Sequence, residues 1–140
     1  RLWGGTVDEI AYTVKHGIRN ETDPDARWSE MPAFGDILSS DEIALLVGHV
    51  QALPDGAGGD GETLFLDNCA SCHGDNGEGM IELGAPNISD AIWLYGGDEA
   101  ALTETITNAR FGVMPAWGQR LSDADVRAVS LYVHALGGGE

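Results

Sequence analysis

Apolar side chains recur at helical spacing near the end of the chain. Ser122 and Asp125 form a shortened, acidic capping box before this stretch. The apolar positions that follow fall on one helical face: Val126, Val129, Val133 and Leu136. The pattern predicts a final helix.

Two earlier stretches carry similar signals. Ser39 can cap a helix over residues 41–53, and Asp98 can cap a helix that runs to Ala109. Polar N-caps satisfy backbone N–H groups that have no partner inside the helix. Both stretches are therefore predicted to be helical.

The middle of the chain has a different character. GETLFLDNCASCH, residues 61–73, predicts a helix that ends at Gly74. Several glycines and a proline over residues 73–89 predict a long irregular segment, which in a compact domain normally wraps something. Since no stretch reads as a convincing strand, the predicted fold class is all-α and rich in loops.

The sequence partly repeats itself. LWGG at residues 2–5 returns as LYGG at residues 94–97, and residues 31–53 align without a gap on residues 114–136. A cysteine-histidine cluster precedes LYGG in the second copy, whereas the first copy begins close to Arg1.

We interpret this organisation as a fragment. Residues 1–53 would be the C-terminal part of a first domain, with its own cysteine-histidine cluster missing upstream. Residues 54–59 would be a linker rich in glycine, and residues 60–140 a complete domain.

Composition narrows the possible partners. The chain has 140 residues, 43% of them hydrophobic, which suffices for one ordinary domain or two small ones. Its 23 acidic and 7 basic residues give a formal net charge of −16. Such a charge disfavours nucleic acid and anionic lipid and favours a partner with a basic face. No apolar run approaches the roughly twenty residues of a membrane span.

The two cysteines of the chain, Cys69 and Cys72, lie next to His73. A redox dithiol usually follows a strand, and none is predicted here. A structural zinc site needs a fourth ligand, commonly another cysteine, and the chain has no further cysteine. Covalent haem attachment needs both thiols and the adjacent histidine, and this Cys-x-x-Cys-His motif is complete. The sequence therefore predicts one haem c, with His73 as the proximal iron ligand.

The sixth iron ligand is predicted from the methionines. Met114 lies in RFGVMPAWG, a loop punctuated by glycine and stiffened by Pro115, and can bring its sulfur to the iron. Met80 lies too close to His73 in sequence to reach the opposite haem face. His/Met ligation leaves no open iron site and predicts outer-sphere electron transfer.

Two alternatives to this ligand set remain open. Met114 could instead fill a gap in the core. Bis-histidine ligation could use one of the other histidines, although each is expected to be solvated or satisfied in the core: His16, His49 and His134.

Further residues are candidates to line the haem. Three aromatic residues could wall it or belong to the core: Trp93, Tyr95 and Trp117. Arg110, one of only seven cations, could hold a haem propionate. The carbonyl of Pro86 could accept a hydrogen bond from the proximal imidazole, which fixes the ring orientation.

Together these residues resemble a known family. LFLDNCASCHGDNGEG, LGAPNISDAIWLYGGD and TNARFGVMPAWGQRL, with LWGGTVDEI and SEMPAFGDIL, resemble the dihaem cytochrome c subunit of cbb3-type cytochrome c oxidases, called CcoP or FixP. The resemblance covers nearly the whole chain. It implies two class I cytochrome c domains, each a set of small helices wrapped around a covalently bound haem. It also implies an N-terminal membrane anchor and a first haem motif beyond this fragment.

The resemblance also implies site residues. Cys69 and Cys72 would hold the second haem of the family, and His73 would be its proximal ligand. Met114 and Met31, in matching motifs, would be the two axial methionines. We expect Met114 to serve the haem on Cys69 and Cys72, with a crossed arrangement through Met31 as the alternative.

The implied role is an electron relay rather than a catalyst. It would pass electrons from cytochrome donors toward the catalytic subunit of a terminal oxidase, at the periplasmic face of the bacterial inner membrane. The implied partners are the other oxidase subunits and an electron donor with a basic face. Rival interpretations are a free periplasmic cytochrome c shuttle, a cytochrome domain of a dehydrogenase, a haem-based gas sensor and a zinc-binding interaction module.

Overall fold

The fold is all-α, as the sequence predicts. A computed structural model of the chain describes residues 3–56 and 58–137. These residues form six α-helices and isolated β-bridges, without a strand among them. The helices are α1 (Val7–His16), α2 (Ser40–Ala52), α3 (Glu62–Asn68), α4 (Ala70–His73), α5 (Glu99–Asn108) and α6 (Asp123–Ala135). Arg1 and Leu2 of the first predicted domain, Ala57 of the predicted linker and residues 138–140 of the second predicted domain lie outside the described residues.

Short 3₁₀ turns connect these helices. They span Phe34–Asp36, Leu53–Asp55, Ile81–Leu83 and Trp117–Gln119. Within the two described stretches, every helix is too short or too polar to cross a membrane.

The predicted N-caps of three helices are confirmed. The Ser39 hydroxyl accepts a hydrogen bond from Glu42 N at 3.3 Å, and the Glu42 carboxylate accepts one from Ser39 N at 2.8 Å. Asp98 caps α5 through Ala101 N at 2.9 Å. Ser122 caps α6 in the same way, through the backbone N–H of the residue three positions on. These caps supply partners for N–H groups that the first helical turn leaves unpaired.

The cap of α2 leads to a prediction about stability. Ser39→Ala removes the hydroxyl that the Glu42 N–H uses, so we expect a loss of about 1 kcal/mol in the free energy of unfolding. Chemical denaturation of the haem-loaded protein measures this loss. Ser40→Ala is the matched control, because Ser40 is exposed within the first turn of α2 and is not its N-cap residue. Equal effects of the two substitutions would contradict the capping role.

Helix α1 is an element that the sequence analysis missed. It begins after Thr6, whose hydroxyl accepts from Glu9 N at 3.3 Å while the Glu9 carboxylate accepts from Thr6 N at 3.0 Å. Thr6 follows LWGG as Asp98 follows LYGG. The repeat together with the Thr-x-x-Glu capping box was the signal that could have found this helix.

The chain divides into two compact units that are discontinuous in sequence. The first unit comprises residues 1–30, 81–84 and 111–140, and the second unit comprises residues 31–80 and 85–110. Each unit therefore combines segments from both copies of the repeat. The domains predicted from the sequence are consecutive segments joined at residues 54–59, unlike these two units. That division stays a prediction.

The core of the second unit forms where α2 packs against α3 and α5. Leu46 on α2 and Phe65 on α3 are fully buried. The other buried core members are Phe34, Ile43, Val47, Val50, Ala70, Leu102 and Ile106. Helix α2 belongs to the first repeat and α3 to the second, so the helix that follows the Met31 loop packs against the helix that precedes the cysteines.

The first unit is built on the pairing of α1 with α6. Val126 and Ser130 of α6 are buried, and the Ser130 hydroxyl donates to Val126 O at 2.7 Å. Ile18 and Met114 pair through two backbone hydrogen bonds of 3.0 and 2.9 Å. The Met114 loop is thus fixed to the segment that follows α1.

Candidate functional site

The Cys-x-x-Cys-His motif spans a break between two helices. Cys69 sits at the junction of α3 and α4 with φ −116° and ψ −36°. Helical hydrogen bonds continue through the break, from Cys69 N to Phe65 O at 2.8 Å and from His73 N to Cys69 O at 2.9 Å. The predicted helix is therefore present, interrupted at Cys69 and ending at Gly74. The two thiols and the imidazole share its last turns.

The two thiols differ in their surroundings. Cys69 is half-buried and packs against the core of the second unit, whereas Cys72 is exposed. Burial, together with a smaller contribution from the nearby Cys72, raises the pKa of the Cys69 thiol to about 11. A redox-active dithiol has a thiol with a lowered pKa instead. The site is therefore unlike a thiol-disulfide catalyst and suits two thiols that form stable covalent bonds.

The imidazole of His73 forms a hydrogen bond with the backbone carbonyl of a loop residue. Its Nδ1 lies 3.0 Å from Pro86 O. A carbonyl can only accept, so Nδ1 carries the proton and Nε2 offers a lone pair. Burial lowers the pKa of His73, and the hydrogen bond to Pro86 opposes this shift only in part. A neutral imidazole with Nδ1 anchored is the form that binds a metal through Nε2.

Glycines let the loop return to the imidazole. Gly79 N donates to His73 O at 2.7 Å, and Ile88 N donates to Gly77 O at 2.7 Å. Gly79 has φ +81°, and a Cβ there would lie 2.6 Å from Asn87 N, so glycine is required on both grounds. Met80 and Ala85 pair through two backbone hydrogen bonds. The loop thereby brings Pro86 back to the end of α4.

Of the three aromatic residues predicted to line the haem, two belong to the unit that contains the cysteines. Trp93 packs against the core of the second unit, as Cys69 does. Tyr95 is about half exposed, and the Arg110 guanidinium lies 4.8 Å from the centre of its ring. Arg110 also donates through Nε to Thr105 Oγ1 at 3.3 Å. Trp117 belongs to the first unit, where Arg120 lies over its ring.

The two candidate methionines fall in different units. Met31 is part of the second unit and packs against the same core as Cys69 and Trp93. Met114 is part of the first unit, where it lines an apolar cavity of about 310 Å³. The other residues around this cavity are Trp3, Gly4, Ile10, Thr13, Val14, Ile18 and Val133.

The sequence analysis missed one residue of the second unit, Phe34, and was wrong about the surroundings of another, His49. Phe34 takes the position that Trp117 has in the other repeat, and it is buried in the core. The alignment of MPAFG with MPAWG was the available signal. His49 is also buried, but neither ring nitrogen has a hydrogen-bond partner, whereas a core histidine was expected to be satisfied. Its ring instead packs on Phe65, with 4.9 Å between ring centres.

The other two histidines considered as iron ligands belong to the first unit. His16 belongs to the first unit, and its Nδ1 lies 3.1 Å from the Asp23 carboxylate. His134 also belongs to the first unit, within α6. Among the residues that the structure describes, His73 is therefore the histidine adjacent to both thiols.

The residues present fit a covalently attached haem. Two thiols and a histidine share one helix end; burial lowers the pKa of this histidine, and its Nδ1 donates to Pro86 O. One of these donors, Cys69, packs against a core on which Trp93 and Met31 also pack. This combination supplies what the motif needs: two thioether partners, one nitrogen ligand and an apolar contact surface.

Comparison with known proteins agrees with this chemistry. Residues 56–133 match the family model described as cytochrome c oxidase, cbb3-type, subunit III. A cbb3-type cytochrome c oxidase subunit CcoP of Cereibacter sphaeroides is 56% identical, over 99% of this chain and 50% of that protein. FixP subunits of the same oxidase type are 50% identical in Azorhizobium caulinodans and 48% identical in Bradyrhizobium diazoefficiens, over 99% of this chain and 49% and 50% of those proteins. The chain thus spans about half the length of these relatives.

Proposed function

Because this chain belongs to the family of cbb3-type cytochrome c oxidase subunit III, we propose that it is an electron-transfer module of such an oxidase. It would relay electrons from cytochrome donors toward the catalytic subunit without reducing oxygen itself. The observation that carries this proposal is the His73 imidazole, anchored through Nδ1 to Pro86 O beside two thiols on one helix end. We place the function at the periplasmic face of the bacterial inner membrane, with other oxidase subunits as partners.

Three residues would hold one haem c in this chain. The Cys69 and Cys72 sulfurs would form the two thioether bonds, and His73 would bind the iron through Nε2. The Pro86 carbonyl would keep the imidazole oriented and raise its basicity, as outer hydrogen bonds to ligating histidines do. When bound, the haem supplies a one-electron iron couple at a potential set by its axial ligands and surroundings.

We further propose Met31 as the sixth ligand of this haem, in place of the Met114 expected from the sequence. Met31 packs on the same core as Cys69 and lies in the same unit as His73. The helix after the Met31 loop, α2, packs directly against α3, the helix that leads into the motif. Met31 therefore lies on a loop that is continuous with a contact to the helix before the motif.

Met114 would then serve the other haem of the family, whose attachment motif is not in this chain. The apolar cavity of about 310 Å³ that it lines in the first unit supports this assignment. Backbone hydrogen bonds to Ile18 hold the Met114 loop against this cavity. The two methionines would therefore be exchanged between the linear halves of the chain.

Other side chains of the second unit would shape the site. Trp93, packed on the core, would exclude water from the haem on one side. Arg110 would pair with a propionate, and its fixed position over the Tyr95 ring would limit the loss of side-chain entropy. Since outer-sphere electron transfer forms and breaks no covalent bond, the role of these residues would be to keep the surroundings of the haem similar in both oxidation states.

Covalent haem attachment tests the proposal. The chain would be produced in an oxidising compartment with a haem-attachment system and examined by haem stain on a denaturing gel. We expect a stained band for the wild type, and no band for the double variant Cys69→Ser with Cys72→Ser, because no sulfur remains to form a thioether. Ser71→Ala is the control, since Ser71 lies between the cysteines and forms no thioether. A wild type without stain would overturn the proposed function.

A further inference from the structure

The loop over residues 90–97 exposes apolar side chains to an unusual degree. Ile92 is 82% exposed and Leu94 is 86% exposed, the highest values for large apolar side chains in the part of the chain that the structure describes. Trp93 between them turns inward and packs against the core. The two aliphatic side chains thus stand outside the unit on either side of an anchored tryptophan.

The loop that carries them is held in place. Asp90 Oδ1 accepts a hydrogen bond from Ile92 N at 2.8 Å. At the other end, Gln51 donates to Gly97 O at 3.3 Å, and Gly97 lies so close to Trp93 that a Cβ would be 2.6 Å from the ring. A surface fixed in this way loses little conformational entropy when it binds a partner.

The unit around this loop is strongly acidic. The second unit has thirteen carboxylates and one cation, Arg110, which gives it a formal charge of −12 out of −16 for the chain. The first unit has ten carboxylates and six cations. Three carboxylates bracket the exposed residues in sequence: Asp90, Asp98 and Glu99. An apolar centre with a charged rim is the usual anatomy of a protein interface.

We infer that Ile92 and Leu94 form the apolar centre of a docking surface for a soluble redox protein whose own apolar face has a basic rim. The inference rests on the proposed function and adds the residues that meet the electron donor. The carboxylates of the second unit steer the donor toward this face, and the two aliphatic side chains hold it there. A patch of two side chains suits a short-lived complex, as small interfaces between redox proteins do.

The position of the patch agrees with electron transfer. Trp93 is the immediate neighbour of both exposed residues, and it packs on the core that Cys69 and Met31 also contact. The rate of electron tunnelling falls steeply with distance, so a donor must dock next to the haem-binding core. Ile92 and Leu94 satisfy this requirement because they lie one residue from Trp93.

The test uses the haem-loaded chain with reduced mitochondrial cytochrome c as the probe, a basic carrier of one electron. Stopped-flow mixing at low ionic strength gives the second-order rate constant for electron transfer. We expect the double variant Ile92→Ser with Leu94→Ser to lower this constant about tenfold. The rate with the wild type should also fall steeply with added salt, and with probe whose lysines have been succinylated.

Two controls separate docking from other effects. Leu136→Ser changes a side chain of similar exposure, 69%, in the first unit and should leave the rate unchanged. Reduction by ascorbate needs no docking surface and should be equally fast in the wild type and the double variant. An unchanged optical spectrum of the double variant shows that its haem surroundings are intact.

Three results would overturn the inference. Equal rates with cytochrome c for wild type and double variant would mean that the donor docks elsewhere. An altered optical spectrum of the double variant would mean that Ile92 and Leu94 line the haem. A dimer that the wild type forms and the double variant does not would mean that a second copy of the chain occupies the surface. If ascorbate reduces the wild type in each of these cases, the electron-transfer function itself still stands. A wild type that neither reductant reduces would remove that function.

Discussion

Met31→Ala is expected to abolish the weak far-red sulfur-to-iron absorption band of the haem-loaded protein, and Met114→Ala is expected to leave it in place. Met31 packs on the core that Cys69 and Trp93 contact, and it belongs to the same unit as His73. Met114 is instead tied to Ile18 by two backbone hydrogen bonds in the first unit. If the sulfur of Met31 binds the iron, its loss removes this band entirely.

The same substitution should lower the reduction potential of the haem. A thioether ligand favours the reduced iron, and axial ligands span a range of about 0.8 V in haem proteins. Loss of the sulfur should move the potential downward, as measured by redox titration of the α-band. Carbon monoxide should then bind the reduced variant but not the reduced wild type, because only the variant has an open iron site.

Met80→Ala is the matched control for this experiment. Met80 lies in the second unit and pairs with Ala85 through its backbone, so its side chain can be removed without breaking that pairing. We expect an unchanged band and potential for this variant. Loss of the band in Met114→Ala alone would restore the ligand pair expected from the sequence, and a wild type without the band would exclude methionine ligation.

Local signals in the sequence were sufficient to predict where three of the helices begin. Ser39, Asp98 and Ser122 cap helices as predicted, because an N-cap depends only on a side chain and a backbone N–H three residues away. The break at Cys69 within the predicted helix was not visible in the apolar pattern. Helix α1 was readable from the same kind of signal at Thr6 and was missed.

The pairing of helices could not be predicted in the same way. Residues 31–53 and 114–136 are copies of one pattern, so either helix presents similar apolar positions to α3. Nothing in a repeated local pattern specifies which copy packs where, since that choice depends on contacts between distant segments. The placement of Met31 and Met114 follows from this choice, which is why the ligand pair stayed open in the sequence.

The contact of α2 with α3 depends on the absence of a side chain at Gly61. A Cβ at this position would overlap Leu45 O and would lie 2.7 Å from Leu45 C and 3.0 Å from His49 Cβ. Backbone atoms within a helix cannot give way as the end of a flexible side chain can. His49 and Phe65 pack on each other beside this point, and the unpartnered ring nitrogens of His49 show that the contact is one of packing.

Gly61→Ala is therefore expected to destabilise the protein by about 1–3 kcal/mol, the cost of overpacking a close contact. Gly48→Ala, on α2, should act in the opposite direction: a Cβ there meets nothing within 4 Å, and alanine is favoured over glycine within a helix by about 1 kcal/mol. Chemical denaturation of the haem-loaded variants measures both changes. Because the proposed Met31 ligand reaches the core through the loop before α2, Gly61→Ala should also weaken the far-red band, and Gly48→Ala should not. If Gly61→Ala were as stable as the wild type with an intact band, α3 would not depend on close contact with α2, and the main support for Met31 as the iron ligand would be lost.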